Sequence, residues 1–555
     1  MITRRLRRLW WQLRYLRPLQ VVQRLHLRLR PAGRLARVSA PAWQAPQAPW
    51  IEPTPLPSSW RDDGVFSLLG SDVPWSAGTI WRDRSIGKKA LMELNTANWL
   101  WSAGPMWGSR LMTDWLVSQR LPEGPGWHPY ITSQRIVNWI KWGLAGGGLN
   151  ETFCSSLAQQ VRYLEPRLAF DECDHKLINN AKAFLFAGFC LTDPRAPRWR
   201  ALGLRLLARY LPQQLLSDGG YMGRSPMYHN ALLLDLLDIV NFLRAYGEPL
   251  PGRLEEQSKA ALRWSWALCH ADLQPALFND AAIDVVPAVG ILSAYGMRLG
   301  LCEVGAESDM SSCWLPASGV GRLRAGPALL LADVGPLGPD HAASHGHAGT
   351  LGFEFSLAQQ RVFVDTGLST YEDMGYRAYE RSTAAHNTVV VNGESSSDVW
   401  GLFKLGRRAR IVDLGYSEKS CGGTLYAAHN GYSRRGAILI HRRDWSLDAD
   451  RLALDDELEG SGEHGIAVYF HLHPSIQVEL QSARQARLNL PDGATLDLTV
   501  DSRLVLTPEV GYCATRFGDR QPSTVLRAEA RLSLPVRLQH ELIGWSHPPA
   551  APGLR

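Results

Sequence analysis

The hydrophobic rhythm of the chain changes once. From about residue 85 to 305, apolar positions recur at helical spacing, as in Ala181-Lys182-Ala183-Phe184-Leu185-Phe186-Ala187 and Leu232-Leu233-Leu234-Asp235-Leu236-Leu237. Gly124-Pro125 and Gly219-Gly220 punctuate this stretch, so a series of helical hairpins is predicted, with helices over 176–190 and 230–242. After about residue 310 the pattern shortens to strand-like runs at 328–333, 361–365, 388–391 and 467–472, bounded by Gly, Asn and Asp. Helices first and strands second predict two domains rather than one alternating α/β sheet. Residues 35–60, rich in Pro, Ala, Gln and Ser, read as an extended linker or wrapping segment. The expected layout is a basic segment and linker over 1–60, a helical domain over 61–308 and an antiparallel β domain over 309–555.

Composition adds little to the fold and more to the chemistry. With 555 residues, 45% apolar and 20% charged, each half can build its own core. The 21 tryptophans are frequent in the first half. Aromatic faces stack on sugar C–H faces, which suits a glycan groove, and they equally fill helix–helix cores. Eight scattered cysteines with no C-x-x-C pair argue against a disulfide framework or a thiolate zinc site. There is no P-loop, no dinucleotide-binding glycine motif and no nucleic-acid module, so nucleic acid is not an expected partner.

The net charge of +6 is uneven: the first thirty residues hold nine arginines, and no acid precedes Glu52. Leu6, Trp10, Leu13 and Tyr15 interleave with them, which predicts a basic amphipathic helix. Such a helix rests on an anionic membrane surface or packs on the helical domain with its arginines solvated. No apolar run of signal-peptide or transmembrane length is read, which leaves the compartment open.

Three clusters carry candidate chemistry. Asp174-His175, with Asn179 and Asn180, stands at the head of the predicted helix 176–190. Tyr228 and His229 follow Arg224 in a loop that runs into the helix 230–242, where the helix dipole can stabilise a phenolate. The most specific is Asp340-His341-Ala342-Ala343-Ser344-His345-Gly346-His347, with Asp365 and His386 downstream. Two histidines and a carboxylate are suitable zinc ligands, and a His-x-His pair on a strand presents both side chains to one face.

Together these motifs resemble the heparinase II/III family of bacterial polysaccharide lyases. The resemblance runs through Trp127-His128-Pro129-Tyr130 with Arg135 and Asn138, Asp174-His175, Arg224-Ser225-Pro226-Met227-Tyr228-His229 and Ala276-Leu277-Phe278-Asn279-Asp280. It closes on His345-Gly346-His347, Val364-Asp365-Thr366-Gly367 and Arg381-Ser382-Thr383-Ala384-Ala385-His386-Asn387. It implies an incomplete (α/α) toroid followed by an antiparallel β-sandwich domain, and β-elimination on a uronic-acid glycan, an acidic polysaccharide of the cell envelope or of exopolysaccharide metabolism. By resemblance Tyr228 is the acid, and also a candidate base. His345 is a second base or supports the intermediate, and His175 contacts the substrate carboxylate or acts as a base. Asp174, Arg135, Asn138, Arg224, His229 and Arg381 are the implied substrate-binding residues. His347, Asp365 and His386 would hold a structural divalent metal, zinc by its ligand types.

The sequence departs from the family pattern at Asp174, where an Asn usually stands, at Gly223 for a Glu and at Gly349 for an Asp. An ionised Asp174 repels a substrate carboxylate unless it is protonated or paired with Lys or Arg. These departures keep open a catalytically weakened glycan-binding or assembly factor. A glycoside hydrolase with Asp218 and Asp280 as acids is the third alternative.

Overall fold

The computed structural model describes residues 2–29, 35, 38–54, 56–57, 59–119, 122–283, 285–302, 311–434 and 438–545. The expected domain boundary at 308/309 lies outside them.

Two helices, α1 (Ile2–Arg14) and α2 (Pro18–Leu29), precede the linker. The helical domain then runs through α3 (Lys88–Leu94), α4 (Leu100–Ser118), α5 (Pro129–Trp142), α6 (Glu151–Leu164), α7 (Lys176–Cys190), α8 (Ala196–Gln214), α9 (Pro226–Ala245), α10 (Leu254–Ala267) and α11 (Val289–Arg298). Helices α5, α7 and α9 pack on one another in sequence, and α6, α8 and α10 back them. The inner three are buried around almost their whole circumference, with apolar side chains on most positions and buried polar groups such as Lys141, Lys182 and Asp238 paired with one another. This is the (α/α) toroid. Helix α7 starts and stops where the sequence pattern put it. Helix α9 starts four residues earlier than expected, because Ser225 caps it by accepting from Tyr228 N and Pro226 suits the first turn.

The second domain is a β-sandwich. A five-stranded antiparallel meander, Cys313–Leu315 through Gln360–Phe363, faces a ten-stranded antiparallel sheet built on the long strands Arg451–His471 and Gln521–Ile543. Strict alternation, as in Ile440–Leu447, turns one face of each sheet inward. Leu330, Phe353 and Phe363 from the small sheet meet Trp445, Leu454 and Val468 from the large one in a single core. The short helix α12 (Met374–Glu380) lies in the loops between the sheets.

The domains are pinned together by polar contacts. Asp218 accepts from Ser318 N at 2.7 Å and from Ser318 Oγ at 2.9 Å, while Arg224 donates to the carbonyls of Ala317 and Ser318. His270 reaches Glu354 at 2.9 Å, and Glu354 also meets Arg361.

Candidate active site

The N-terminal ends of the three inner helices open on one cavity of about 560 Å³, closed from the other side by loops of the β domain and from above by α1 and α2. His128 and Tyr130 stand at the head of α5, Asp174 and Lys176 at that of α7, and Met227 and Tyr228 at that of α9. Three positive helix ends therefore face the same space, which favours an anionic occupant.

Tyr228 is the meeting point. Its ring lies 4.2 Å from the ring of His345 and 5.0 Å from that of His175, and its hydroxyl is 2.8 Å from the Tyr371 hydroxyl. Burial pushes the Tyr228 phenol up, with the Asp280 carboxylate adding to it, so the hydroxyl keeps its proton at ordinary pH. His345 reaches the cavity from the loop between strands Ala328–Asp333 and Gly352–Leu357. Its Nδ1 is 2.7 Å from Asp280 Oδ2, to which it donates, so Nε2 is the ring nitrogen that Asp280 does not engage. Asp280 comes from the helical domain, and its other oxygen meets His347 Nε2 at 2.9 Å and Arg377 Nη1 at 2.5 Å. Burial raises the Asp280 carboxyl, but Arg377 and the two imidazoles outweigh it and hold the group well below the usual range.

His175 sits one layer behind the cavity wall, 1% exposed, enclosed by Tyr130, Tyr221 and Tyr228. Its Nδ1 is 3.2 Å from the Tyr221 hydroxyl, and its buried Nε2 has no hydrogen-bond partner among the described residues. Burial lowers its pKa to about 3, so it is a neutral imidazole. Asp174 is ionised and paired: Lys176 Nζ lies 2.6 Å from its Oδ2 and also binds Glu172. Burial alone would raise Asp174, and Lys176 more than reverses that.

Several expected substrate contacts fall elsewhere. Arg135 is 1% exposed, stacked between Trp115 and Trp127, with Nε donating to Gln160 Oε1 and Nη1 to the carbonyls of Asn95 and Gly126. His229 accepts from Tyr221 N and contacts the Ala261 carbonyl, inside the helix packing. Arg224 clamps the domain boundary, and Arg381 holds the Gly346 carbonyl and so the histidine loop. None of the four lines the cavity, whereas Asn138 does. The hydrolase alternative loses its carboxylates, because Asp218 pins Ser318, Asp280 is committed to His345, His347 and Arg377, and neither lines the cavity. No tryptophan lines the cavity among the described residues; Trp99, Trp115, Trp127 and Trp139 fill the helical core. The His345-Gly346-His347 pair is a loop, not a strand, and both rings still converge because each hydrogen-bonds one oxygen of Asp280.

The expected metal ligands are neighbours. The His347 and His386 rings are 5.5 Å apart, and His386 Nδ1 is 2.6 Å from Asp365 Oδ2. His347 Nδ1 and His386 Nε2 are both buried with no hydrogen-bond partner among the described residues. The two orphaned imidazole nitrogens are donors of the kind a divalent cation such as zinc takes, while Asp365 is held on the other nitrogen of His386. Only His128, Asp171 and Glu172, among the described residues, bring three ligand atoms within 4.8 Å of one another, and Glu172 there is already engaged by Lys176.

Sequence reading missed Tyr371, Lys89 and the orienting role of Asp280. Lys89 lines the cavity with its ammonium over the rings of Phe403, at 4.8 Å, and Tyr371, at 5.4 Å. It makes no ion pair among the described residues, and burial, reinforced by Lys176, lowers its pKa.

A family model described as heparinase II/III-like, C-terminal matches residues 309–546, and one described as heparinase II/III N-terminus matches residues 149–288. The two take in well over half of the chain, which belongs to the heparinase II/III-like family. FtsZ-localized protein C of Caulobacter vibrioides is 28% identical over 346 residues, 58% of this chain and 57% of that protein. Heparin-sulfate lyase of Pedobacter heparinus is 35% identical over 106 residues, 19% of this chain and 15% of that enzyme. The chain thus spans little more than half of the first relative's length and a small part of the second's. A crystal structure of heparinase III shares the fold with a TM-score of 0.67 at 15% identity, over 95% of this chain and 88% of that one.

Proposed function

We propose that the chain is a polysaccharide lyase that cleaves a uronic-acid-containing glycan by β-elimination. The meeting of Tyr228 and His345 at the cavity wall, with Asp280 behind the histidine, carries this reading. The proton beside a sugar carboxylate is weakly acidic, so the reaction needs a base, an acid and a cation at the carboxylate. His345 Nε2 takes the proton. The carbon–carbon double bond forms as the glycosidic C–O bond breaks, and the Tyr228 hydroxyl gives its proton to the leaving oxygen. Tyr371, 2.8 Å from that hydroxyl, orients it and relays the proton back. Lys89, which lines the cavity and makes no ion pair among the described residues, receives the uronate and takes over the neutralising role that Asp174 cannot perform. His175, neutral and packed on Tyr228, positions the phenol. His347, Asp365 and His386 would hold a divalent metal, which would supply rigidity to the loop that carries His345.

A second reading, a glycan-binding or assembly factor without turnover, is favoured by the ionised Asp174 and by the relative named FtsZ-localized protein C. Incubation with a panel of uronate polymers separates the two readings. Unsaturated ends absorbing in the ultraviolet support the lyase. Binding without product that survives Tyr228→Phe and His345→Ala supports the second.

A further inference from the structure

Helices α1 and α2 have two unlike faces. Inward, Arg8 pairs with Asp398 at 3.3 Å, and Tyr15 lies 4.3 Å under the Arg408 guanidinium, which fixes α1 to the β domain. Gln20, fully buried on α2, donates to the carbonyls of Glu172 at 3.1 Å and His341 at 3.0 Å, one from each domain. Gln12, Leu16, Gln20 and Arg24 line the cavity. The hairpin is therefore a strap across the two domains and the roof of the site.

Outward, the same hairpin exposes apolar side chains at helical spacing. Leu6, Trp10 and Leu13 form one stripe on α1, and Val22, Leu25 and Leu29 form one on α2, each side chain at least 53% exposed. Large apolar side chains gathered at such density on a solvent face mark a contact surface. The segment around them holds nine arginines and no acid, and the Arg14 guanidinium lies 5.3 Å from the Trp10 ring. An exposed apolar stripe on a segment whose charged residues are all basic matches the acyl–headgroup boundary of a bilayer rich in anionic lipid. A second copy of the chain would bring like charges together on this face. No helix among the described residues is long and apolar enough to cross a membrane, so the fitting mode is to lie on the surface.

We infer that the outward face of the α1–α2 strap docks on an anionic lipid bilayer, which places the roof of the cavity at the membrane surface. The inference goes beyond the elimination reading and stands without it, because it is measured with no glycan present. The test is co-sedimentation of the full chain with vesicles of phosphatidylcholine alone and of phosphatidylcholine mixed with phosphatidylglycerol. The expected result is about tenfold more bound chain on the anionic vesicles at physiological salt, falling as salt screens the arginines. The triple variant Trp10→Ser, Leu13→Ser, Leu25→Ser, with an unchanged circular dichroism spectrum, should drop to the level seen on neutral vesicles. Equal recovery on both vesicle types, or a triple variant that binds as well as the parent, overturns the inference. So does a solution dimer that the triple variant dissolves, which would give the face to a second copy.

Discussion

The Nδ1 of His345 stands 2.7 Å from Asp280 Oδ2, and this contact joins the β domain to the helical domain across 65 residues of sequence. The same carboxylate neutralises Arg377, which is fully buried. Asp280→Asn keeps the volume and removes the charge. Turnover is expected to fall by about 10²–10⁴, the range for losing a positioned acid–base group. Unfolding free energy is expected to fall by ~3 kcal/mol or more, because Arg377 loses its counter-charge. Steady-state rates and urea unfolding on one preparation check both, and a variant that keeps both removes Asp280 from the account.

Tyr228→Phe deletes the proton that the leaving oxygen needs and leaves the ring against His345 and His175. Activity is expected to drop about 10³-fold with an unchanged melting temperature. Tyr371→Phe loses one hydrogen bond to a residue still present, so a loss within about tenfold is expected. Equal losses in the two variants would make Tyr371 the proton donor instead.

Added zinc should bind at His347, Asp365 and His386, where two imidazole nitrogens lack hydrogen-bond partners among the described residues. At about 100 times its dissociation constant, a ligand of the folded state stabilises by about 2.7 kcal/mol. Elemental analysis should find one ion per chain, and His386→Ala should lose both the ion and the rise in melting temperature. Stabilisation that persists in His386→Ala places the metal elsewhere.

Burial lowers His175 to about 3 and His229 to about 4, below the ordinary histidine value near 6.5. The unfolded chain therefore takes up these protons first as pH falls. Their stability contribution is complete above about pH 6.5 and is lost downward toward the folded values, with a slope of up to about 1.4 kcal/mol per pH unit for each. Thermal unfolding between pH 7 and 4 should show the melting temperature falling with acid. His229→Gln, which removes one of the two protons, should flatten the slope, and an unchanged slope contradicts the assignment.

The fold was legible because it rests on period. The run Lys176–Cys190 is largely apolar, with its few polar groups paired, and became an inner helix buried on every side, and the alternating runs after residue 310 became strands. Tyr228, His345 and His175 were legible as motif residues. Their partners were less so. Tyr371 lies 143 residues from Tyr228 and is joined to it only by folding. Lys89 sits in no motif and owes its place in the cavity to the aromatic rings beneath it. Asp280 looked like a free acid until the histidine loop was seen to close on it. Arg135 misled because a guanidinium suits a carboxylate, yet two indole faces and three acceptors had already claimed it.

The chemistry proposed for Tyr228 and His345 is cleavage of a uronic-acid glycan by elimination. Following ultraviolet absorbance during incubation with defined uronate polymers, with mass spectrometry of the products, tests it most directly. The expected result is a rising absorbance from the conjugated double bond and fragments one water lighter than hydrolysis products, both abolished in Tyr228→Phe. A panel that stays silent with the parent chain, or fragments carrying the full mass of water, contradicts it.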